Sequence, residues 1–272
     1  MREYTEPTPV DLQAFSTGRI LKESWEICTK YFGALVMPML LMLVPGVLIV
    51  MFIPGKPGES LDNLVSGILL PIAVMGLNRS ILMLKSEGLT PTLGQTFSEG
   101  SDYWWRGIKI NIVTGLYGFV LGISIVLMIL PGALVVDTEA LWGGILLTAG
   151  IVGSIWTLVW FCAHACLAMP AMADGRTSAF KSFEAGWELA KRNQSSTRPL
   201  FLAIAGISIG VLLILIGTAG LAIGLEICTE EVAIGLMMIP LFLSYTFGIA
   251  YFYIAVNLAY QALKPAPKEE TH

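Results

Sequence analysis

Long apolar stretches alternate with short polar segments along this chain, and the lengths of these stretches predict its fold class. A helix needs about 20 mostly apolar residues to cross a hydrocarbon core of about 30 Å. The pattern predicts six transmembrane helices, at roughly 33–53, 64–84, 108–134, 141–168, 199–225 and 232–260. Asn78 and Arg79 interrupt the second stretch, but an arginine near a helix end can extend to the lipid headgroups. We therefore expect an all-α membrane protein.

The basic residues indicate which ends of the six predicted spans face the cytoplasm. With the N-terminus inside, fifteen of the sixteen Lys and Arg residues lie in cytoplasmic segments, and Lys56 is the exception. The opposite segments carry acidic residues instead, among them Glu59, Asp62 and Asp137. Because Lys and Arg are enriched in cytoplasmic loops, the pattern predicts a multi-pass protein with both termini in the cytoplasm.

The cytoplasmic segments before the first, third and fifth spans share a pattern of residue types. Aligned at offsets of 76 and 162, they place a hydroxyl residue, a large apolar residue, a small residue, an acid and a base at equal spacings. The aligned columns are Ser16, Thr92 and Ser178; Leu21, Phe97 and Phe183; Ser24, Gly100 and Gly186; Glu26, Asp102 and Glu188; and Lys30, Arg106 and Arg192. The pattern predicts a threefold internal pseudo-repeat with units at about 11–84, 90–170 and 176–262, and a flexible cytoplasmic tail at 263–272.

Each repeated position has a role in a helix. Ser and Thr are preferred N-caps, and an acid four residues before a base forms a stabilising pair on a helix surface. The repeat therefore predicts three amphipathic juxtamembrane helices, at about 17–31, 93–106 and 179–193. We expect one ion pair in each: Glu26–Lys30, Asp102–Arg106 and Glu188–Arg192.

Four tryptophans lie in or beside these predicted juxtamembrane helices: Trp25, Trp104, Trp105 and Trp187. Indole rings favour the headgroup layer of a bilayer. We therefore assign these residues to the membrane interface and expect membrane lipids among the protein's partners.

One cluster combines residue types that bind metals, Cys162-Ala-His164-Ala-Cys166. On a helix the two cysteines share a face, whereas His164 points about 200° away from their midpoint. Three ligands cannot converge on one ion from these positions. We therefore predict no metal and no cofactor, and we expect Cys162, Cys166, Cys28 and Cys228 to be free thiols.

Polar residues at membrane depth mark functional sites more often than polar residues elsewhere. The sequence offers Asn78, Arg79, His164 and Asn257 as candidates for lining a cavity. Two structural roles compete with this interpretation. Arg79 lies near the inner end of its span, where it can reach the headgroups, and His164 can form a hydrogen bond between helices.

The sequence does not favour an enzyme. It contains no Gly-x-Ser-x-Gly motif, no phosphate-binding glycine-rich loop and no carboxylate at mid-membrane depth, which nucleophilic or acid–base chemistry in a membrane would call for. The composition is 55% hydrophobic and only 13% charged, with a mean hydropathy of +0.74 and a net charge of −4. No basic tract suggests a nucleic-acid partner.

Two pairs of glycines create narrow faces on the predicted third and fifth spans. Gly118 and Gly122 form one pair, and Gly206 and Gly210 form the other. Small residues four apart let two transmembrane helices approach closely. These faces can seal the bundle from within or dock a partner, and the sequence favours packing within the chain.

Two segments, "GRILKESWEICTKYFGALV" and "SAFKSFEAGWELAKRN", resemble the juxtamembrane pieces of bacterial six-span membrane families. These families include the membrane domain fused to some glycerophosphoryl diester phosphodiesterases. The resemblance implies a six-helix domain in the bacterial cytoplasmic (inner) membrane. The soluble catalytic barrel of those phosphodiesterases is missing from this sequence, so the resemblance implies no enzyme activity.

Three functional hypotheses follow from the sequence. The first is a non-enzymatic accessory or scaffold subunit, or an envelope-maintenance protein, with a membrane-protein partner or a second copy of itself. The alternative is a transporter or carrier of an apolar or amphiphilic small molecule, which predicts a cavity near Asn78, His164 and Asn257. The third is a lipid-modifying enzyme, which would use Glu26, Asp102 and Glu188 at the headgroup level.

Overall fold

The computed structural model describes residues 15–136, 140–175, 178–224 and 230–264, with the side chains of 212, 215, 216 and 219–239 outside that description. All regular elements within these ranges are helices. They are α1 (Thr17–Lys30), α2 (Phe32–Leu35), α3 (Met37–Phe52), α4 (Lys56–Ser86), α5 (Leu93–Val135), α6 (Ala140–Ala165), α7 (Ala168–Asp174), α8 (Ala179–Arg192), α9 (Gln194–Gly224) and α10 (Glu230–Leu263). Cys228 and most of the predicted tail, from 265 onward, lie outside the described residues.

Four stretches of helix in the described part of the chain are long and apolar enough to cross a membrane. They are Lys56–Ser86, Leu93–Val135, Ala140–Asp174 and Pro240–Leu263. These stretches contain the predicted second, third and fourth spans and most of the sixth. The described residues therefore confirm the helical fold class, with helices long and apolar enough to cross a membrane.

The predicted first span takes a shorter form than the sequence suggested. Its apolar helix, α3, has 16 residues, which corresponds to about 24 Å at 1.5 Å per residue. Breaks at Tyr31 and Val36 separate it from α1. The predicted fifth span falls in α9, a helix of 31 residues. Four helical stretches of membrane length are found in the described part of the chain, so the sixfold count stays a prediction.

The predicted amphipathic helices match the structure in two of three cases. α1 and α8 are separate helices of 14 residues each, and each buries one face. The third predicted helix, 93–106, is wrong as a separate element because it continues without a break into the 43 residues of α5. The breaks that end α1 and α8 are at Tyr31 and Asn193, and α5 has no such break after Arg106.

The chain divides into two compact units. Unit 1 comprises Met1–Trp104 and Ala203–His272, and unit 2 comprises Trp105–Leu202. In unit 1, α1 and α4 both pack against α10, and α3 packs against α4. In unit 2, α8 packs against α6 and α7. The borders between the units do not coincide with the predicted boundaries of the repeat.

Candidate functional site

The small residue of the repeat lies at a tight helix contact in two of its copies. A Cβ atom on Gly100 would collide with the backbone of Ile72 in α4. A Cβ atom on Gly186 would lie 2.6 Å from the backbone nitrogen of Ala168 in α7. In the remaining copy Ser24 is fully buried, and its hydroxyl donates to the carbonyl of Ile20 at 2.6 Å.

The helix that carries Ser24 is held on α10 by polar and aromatic contacts. The hydroxyl of Tyr251 donates to the carbonyl of Leu21 at 3.0 Å, and the rings of Trp25 and Phe247 meet edge to face with centroids 5.4 Å apart. Each of the three segments therefore packs on another helix. α1 packs on α10, the first turns of α5 pack on α4, and α8 packs on α6 and α7. The sequence predicted these helices but not what they pack against.

The predicted N-caps are present in two copies. The side chain of Ser178 accepts from the backbone N–H of Lys181 at 3.4 Å, and that of Thr92 accepts from Gln95 at 3.3 Å. Ser16 precedes α1 but makes no capping bond with its side chain, so its predicted role is wrong. Only its backbone carbonyl takes part in this helix start, accepting from Ile20 at 3.0 Å.

The predicted ion pairs of the repeat are replaced by other contacts. Glu26 lies 4.0 Å from Lys22 rather than beside Lys30, and Glu188 lies 3.9 Å from Lys191 rather than beside Arg192. Among the described residues no ion pair joins Asp102 to Arg106. Two of the repeated bases, Lys30 and Arg106, contact different kinds of groups.

Arg106 donates to the backbone carbonyl of Gly175 at 3.0 Å. The ammonium group of Lys30 lies over the ring of Tyr31, 5.1 Å from its centroid. Arg and Lys side chains are long and flexible enough to reach several partners. An ion pair on a helix surface stabilises by only about 0.2–0.5 kcal/mol, so other contacts easily replace it. Such weak preferences explain why spacing alone did not predict the partners.

Two of the candidate cavity residues meet in unit 1. The side-chain amide of Asn257 donates to Oδ1 of Asn78 at 2.5 Å, and both residues are fully buried. Each amide also donates to its own helix, Asn78 to the carbonyl of Val74 and Asn257 to that of Tyr253. This bond joins α4 to α10 and occupies Oδ1 of Asn78 and both side-chain nitrogens, whereas the buried Oδ1 of Asn257 has no hydrogen-bond partner among the described residues.

Arg79, beside this pair, has a carboxylate partner that the sequence analysis missed. Its Nε donates to Glu99 at 3.2 Å, and its guanidinium lies 4.7 Å from the ring centroid of Tyr103. Both charged side chains are about one-fifth exposed. The repeat carried a signal for this acid, because Glu99 aligns with Glu23 at the offset of 76. Both acids pair with a base of α4, Glu99 with Arg79 and Glu23 with Lys85.

His164 lies in unit 2 at the centre of an aromatic cluster. It is fully buried, and its Nδ1 lies 2.7 Å from the carbonyl oxygen of Trp160. The imidazole centroid is 4.6 Å from the ring of Trp160 and 5.0 Å from that of Trp187. Nε2 has no hydrogen-bond partner among the described residues. Trp187 also contacts Phe161 and Phe183, so this predicted interface residue is half-buried within the cluster.

The other three tryptophans assigned to the interface are exposed. The exposed fractions are 56% for Trp25, 37% for Trp104 and 51% for Trp105. Such rings are available to a surrounding bilayer. Their location in the headgroup layer stays a prediction.

The cysteines of the described residues are free. Cys28, in α1, is fully buried, and burial raises the pKa of its thiol to about 12. A thiol that stays protonated at neutral pH is a poor nucleophile. No group of three His, Cys, Asp or Glu side chains in the described part of the chain is placed to hold a metal ion.

The glycine faces have no packing partner among the described residues. Outside the nearby backbone of the same helix, no described atom lies within 4 Å of a Cβ built on Gly118, Gly122, Gly206 or Gly210. That these faces pack within the chain stays a prediction. By contrast, a Cβ on Gly150 of α6 would lie 2.5 Å from the carbonyl oxygen of Met128 in α5.

No family model, curated protein or solved structure matches this chain.

Proposed function

We propose that the protein is a non-enzymatic, polytopic inner-membrane protein that serves as an accessory or scaffold subunit. In this proposal its three repeat units each contribute one juxtamembrane helix and two spans, and both termini are cytoplasmic. The tight contacts of Gly100 and Gly186 support the repeat, and the four membrane-length helices support the location.

The observation that carries the proposal is the open glycine face of α5. Gly115, Gly118 and Gly122 lie at spacings of three and four residues, and no described atom is within 4 Å of a Cβ at any of them. In the most apolar window of this helix only 6% is buried within the described chain, against 56% for Lys56–Ser86. Lipid chains gain little from a narrow glycine groove, whereas an apolar helix can approach it closely. The proposed occupant is a transmembrane helix of another membrane protein.

The test is to replace both Gly118 and Gly122 by Leu and to isolate the protein from its native membrane in a mild detergent. We expect the natural chain to retain one membrane protein in stoichiometric amount and the double variant to lose it, because leucine side chains fill the groove. Gly144→Leu is the matched control, since it also adds a side chain into open space but on α6. Recovery of the natural chain alone, or equal retention by both variants, would overturn the proposal. If the retained protein is a second copy of this chain, the occupant of the glycine face is that copy and not a different membrane protein.

The carrier alternative gains no support from the asparagines. It predicts a cavity at Asn78 and Asn257, but these two residues are fully buried and bonded to each other. The lipid-modifying alternative needs Glu26, Asp102 and Glu188 to act chemically. Simultaneous replacement of these three acids by glutamine would then abolish lipid turnover, whereas the accessory role requires no turnover at all.

A further inference from the structure

A mixed-charge cleft lies in unit 1 between α1, the Tyr31 that follows it, and the end of α4. Its volume is about 270 Å³. The charged residues that line it are Glu23, Glu26, Lys30 and Lys85, and Ile27 and Leu84 supply an apolar floor. Glu23, Glu26 and Lys30 follow one another at spacings of three and four, so they share one face of α1.

The charges of this cleft are unequally satisfied. Lys85 forms an ion pair with Glu23. Glu26 has only a distant, exposed contact with Lys22, at 4.0 Å, and such surface pairs contribute little. Lys30 lies over the Tyr31 ring, and no carboxylate of the described residues is within ion-pair distance of it. One cation and one carboxylate of the same cleft are thus left to bind a ligand.

We propose that this cleft binds the headgroup of a zwitterionic phospholipid of the phosphatidylethanolamine type. Lys30 receives the phosphate, and Glu26 receives the ammonium group. The two acids and two bases give the cleft a net charge of zero, which matches a ligand with one charge of each sign. A purely anionic headgroup would bring its negative charge against Glu26 without compensation.

The surroundings of the cleft favour a lipid over a soluble phosphoester. Ile27 is buried and Leu84 half-buried, so the floor of the cleft offers apolar surface to the acyl end of a lipid, which a soluble phosphoester lacks. Trp25, in the same helix, is 56% exposed, and exposed indoles favour the headgroup layer. The apolar helix α3 begins only seven residues after Lys30.

In the second repeat copy the described residues that align with Lys30 and Glu23 already have partners. Arg106, which aligns with Lys30, already donates to the carbonyl of Gly175 at 3.0 Å. Glu99, which aligns with Glu23, is paired with Arg79. The cleft at α1 therefore does not arise from the repeat alone, and its existence does not depend on the proposed partner subunit.

The test is native mass spectrometry of the full chain in a mild detergent, titrated separately with phosphatidylethanolamine, phosphatidylglycerol and soluble phosphoethanolamine. We expect one bound phosphatidylethanolamine and a weakening of about tenfold in Lys30→Gln and in Glu26→Gln, the usual effect of losing one charge-assisted hydrogen bond. Both side chains are exposed on α1, so neither change threatens folding. Lys109→Gln is the matched control, since Lys109 also lies over a ring, that of Trp105, 5.5 Å from its centroid.

Three results would overturn the proposal. Equal binding of phosphatidylethanolamine by the natural chain and both variants would show that the lipid binds elsewhere. Tighter binding of phosphatidylglycerol, strengthened further in Glu26→Gln, would show that no ammonium group is recognised. Equal affinity for soluble phosphoethanolamine would remove the lipid from the assignment and leave a phosphoester site.

Discussion

The first and third juxtamembrane helices, α1 and α8, share a sequence pattern and a length but have different neighbours. Trp25 and Trp187 occupy the same position of the repeat. Trp25 is 56% exposed and meets the ring of Phe247, whereas Trp187 is half-buried among Trp160, His164 and two phenylalanines. The repeated residues thus determine that a helix forms and which of its faces is packed. The neighbouring helix determines which side chains surround the tryptophan.

The two helices also end differently. After α8, the side chain of Asn193 donates to the carbonyl of Leu189 at 2.9 Å, and the hydroxyl of Thr197 donates to that of Ala190 at 3.3 Å. These bonds add to those that the same two carbonyls accept from the backbone N–H of Asn193. α1 ends instead at Lys30 and Tyr31, beside the mixed-charge cleft. The same motif therefore leads to a closed end in one copy and to an open site in the other.

The largest expected difference between the two helices concerns the tryptophans. Trp187→Ala should lower the free energy of unfolding by about 3 kcal/mol, because it opens a cavity in an aromatic cluster. Trp25→Ala should lower it by less than about 1 kcal/mol, since most of that ring is already exposed. Denaturation by SDS in mixed micelles measures both values. Equal losses would mean that the two indoles are equally buried and that the comparison is wrong.

A smaller difference is expected at the small residue of the repeat. Gly186→Ala places a Cβ 2.6 Å from the backbone of Ala168, and such overpacking costs about 2 kcal/mol. Ser24→Ala keeps an existing Cβ and removes one hydrogen bond within α1, which costs about 1 kcal/mol or less. The same denaturation assay applies, with Gly206→Ala as the control because its surroundings are open. A neutral Gly186→Ala would show that α7 and α8 are not in close contact.

The helix starts provide a third comparison, with an effect of about 1 kcal/mol. Ser178→Ala removes a side chain that accepts from Lys181 and should destabilise the protein by about that amount. Ser16→Ala should have no measurable effect, since the side chain of Ser16 makes no capping bond. Circular dichroism during thermal denaturation compares the two. A larger loss in Ser16→Ala would reverse the assignment of the caps.

The helical part of the fold was predictable because its signals are local. Charge-free apolar runs gave the membrane-length helices, and the pattern from Ser178 to Arg192 gave α8 with its bounds correct to one residue. Patterns of this kind depend on the spacing of residues within one helix. The continuity of 93–106 with the rest of α5 was missed because the repeat suggested a separate helix like α1 and α8.

The contacts were much less predictable because they join residues far apart in the sequence. The bond from Asn257 to Asn78 spans 179 positions, and no spacing rule connects the two. The predicted ion pairs failed for a different reason. Exposed carboxylates such as Glu26 and Glu188 can form ion pairs with several bases at nearly equal free energy. Spacing therefore cannot predict that Glu26 pairs with Lys22 and not with Lys30.

A last comparison concerns two buried residues one turn beyond the small position. They are Cys28 in α1 and Ala190 in α8, which align and are both fully buried. Burial raises the pKa of the Cys28 thiol from its ordinary value of 9.0 to about 12. The folded chain therefore keeps the proton at a pH where the unfolded chain loses it. This preference contributes stability below pH 9 and is lost as the pH rises from about 9 to 12. Cys28→Ala should remove that part of the alkaline loss, whereas Ala190→Cys should add a second one. SDS denaturation at pH 7, 9 and 10.5 measures the change. An alkaline slope unaffected by Cys28→Ala would show that the thiol titrates normally in the folded chain and is not buried as described.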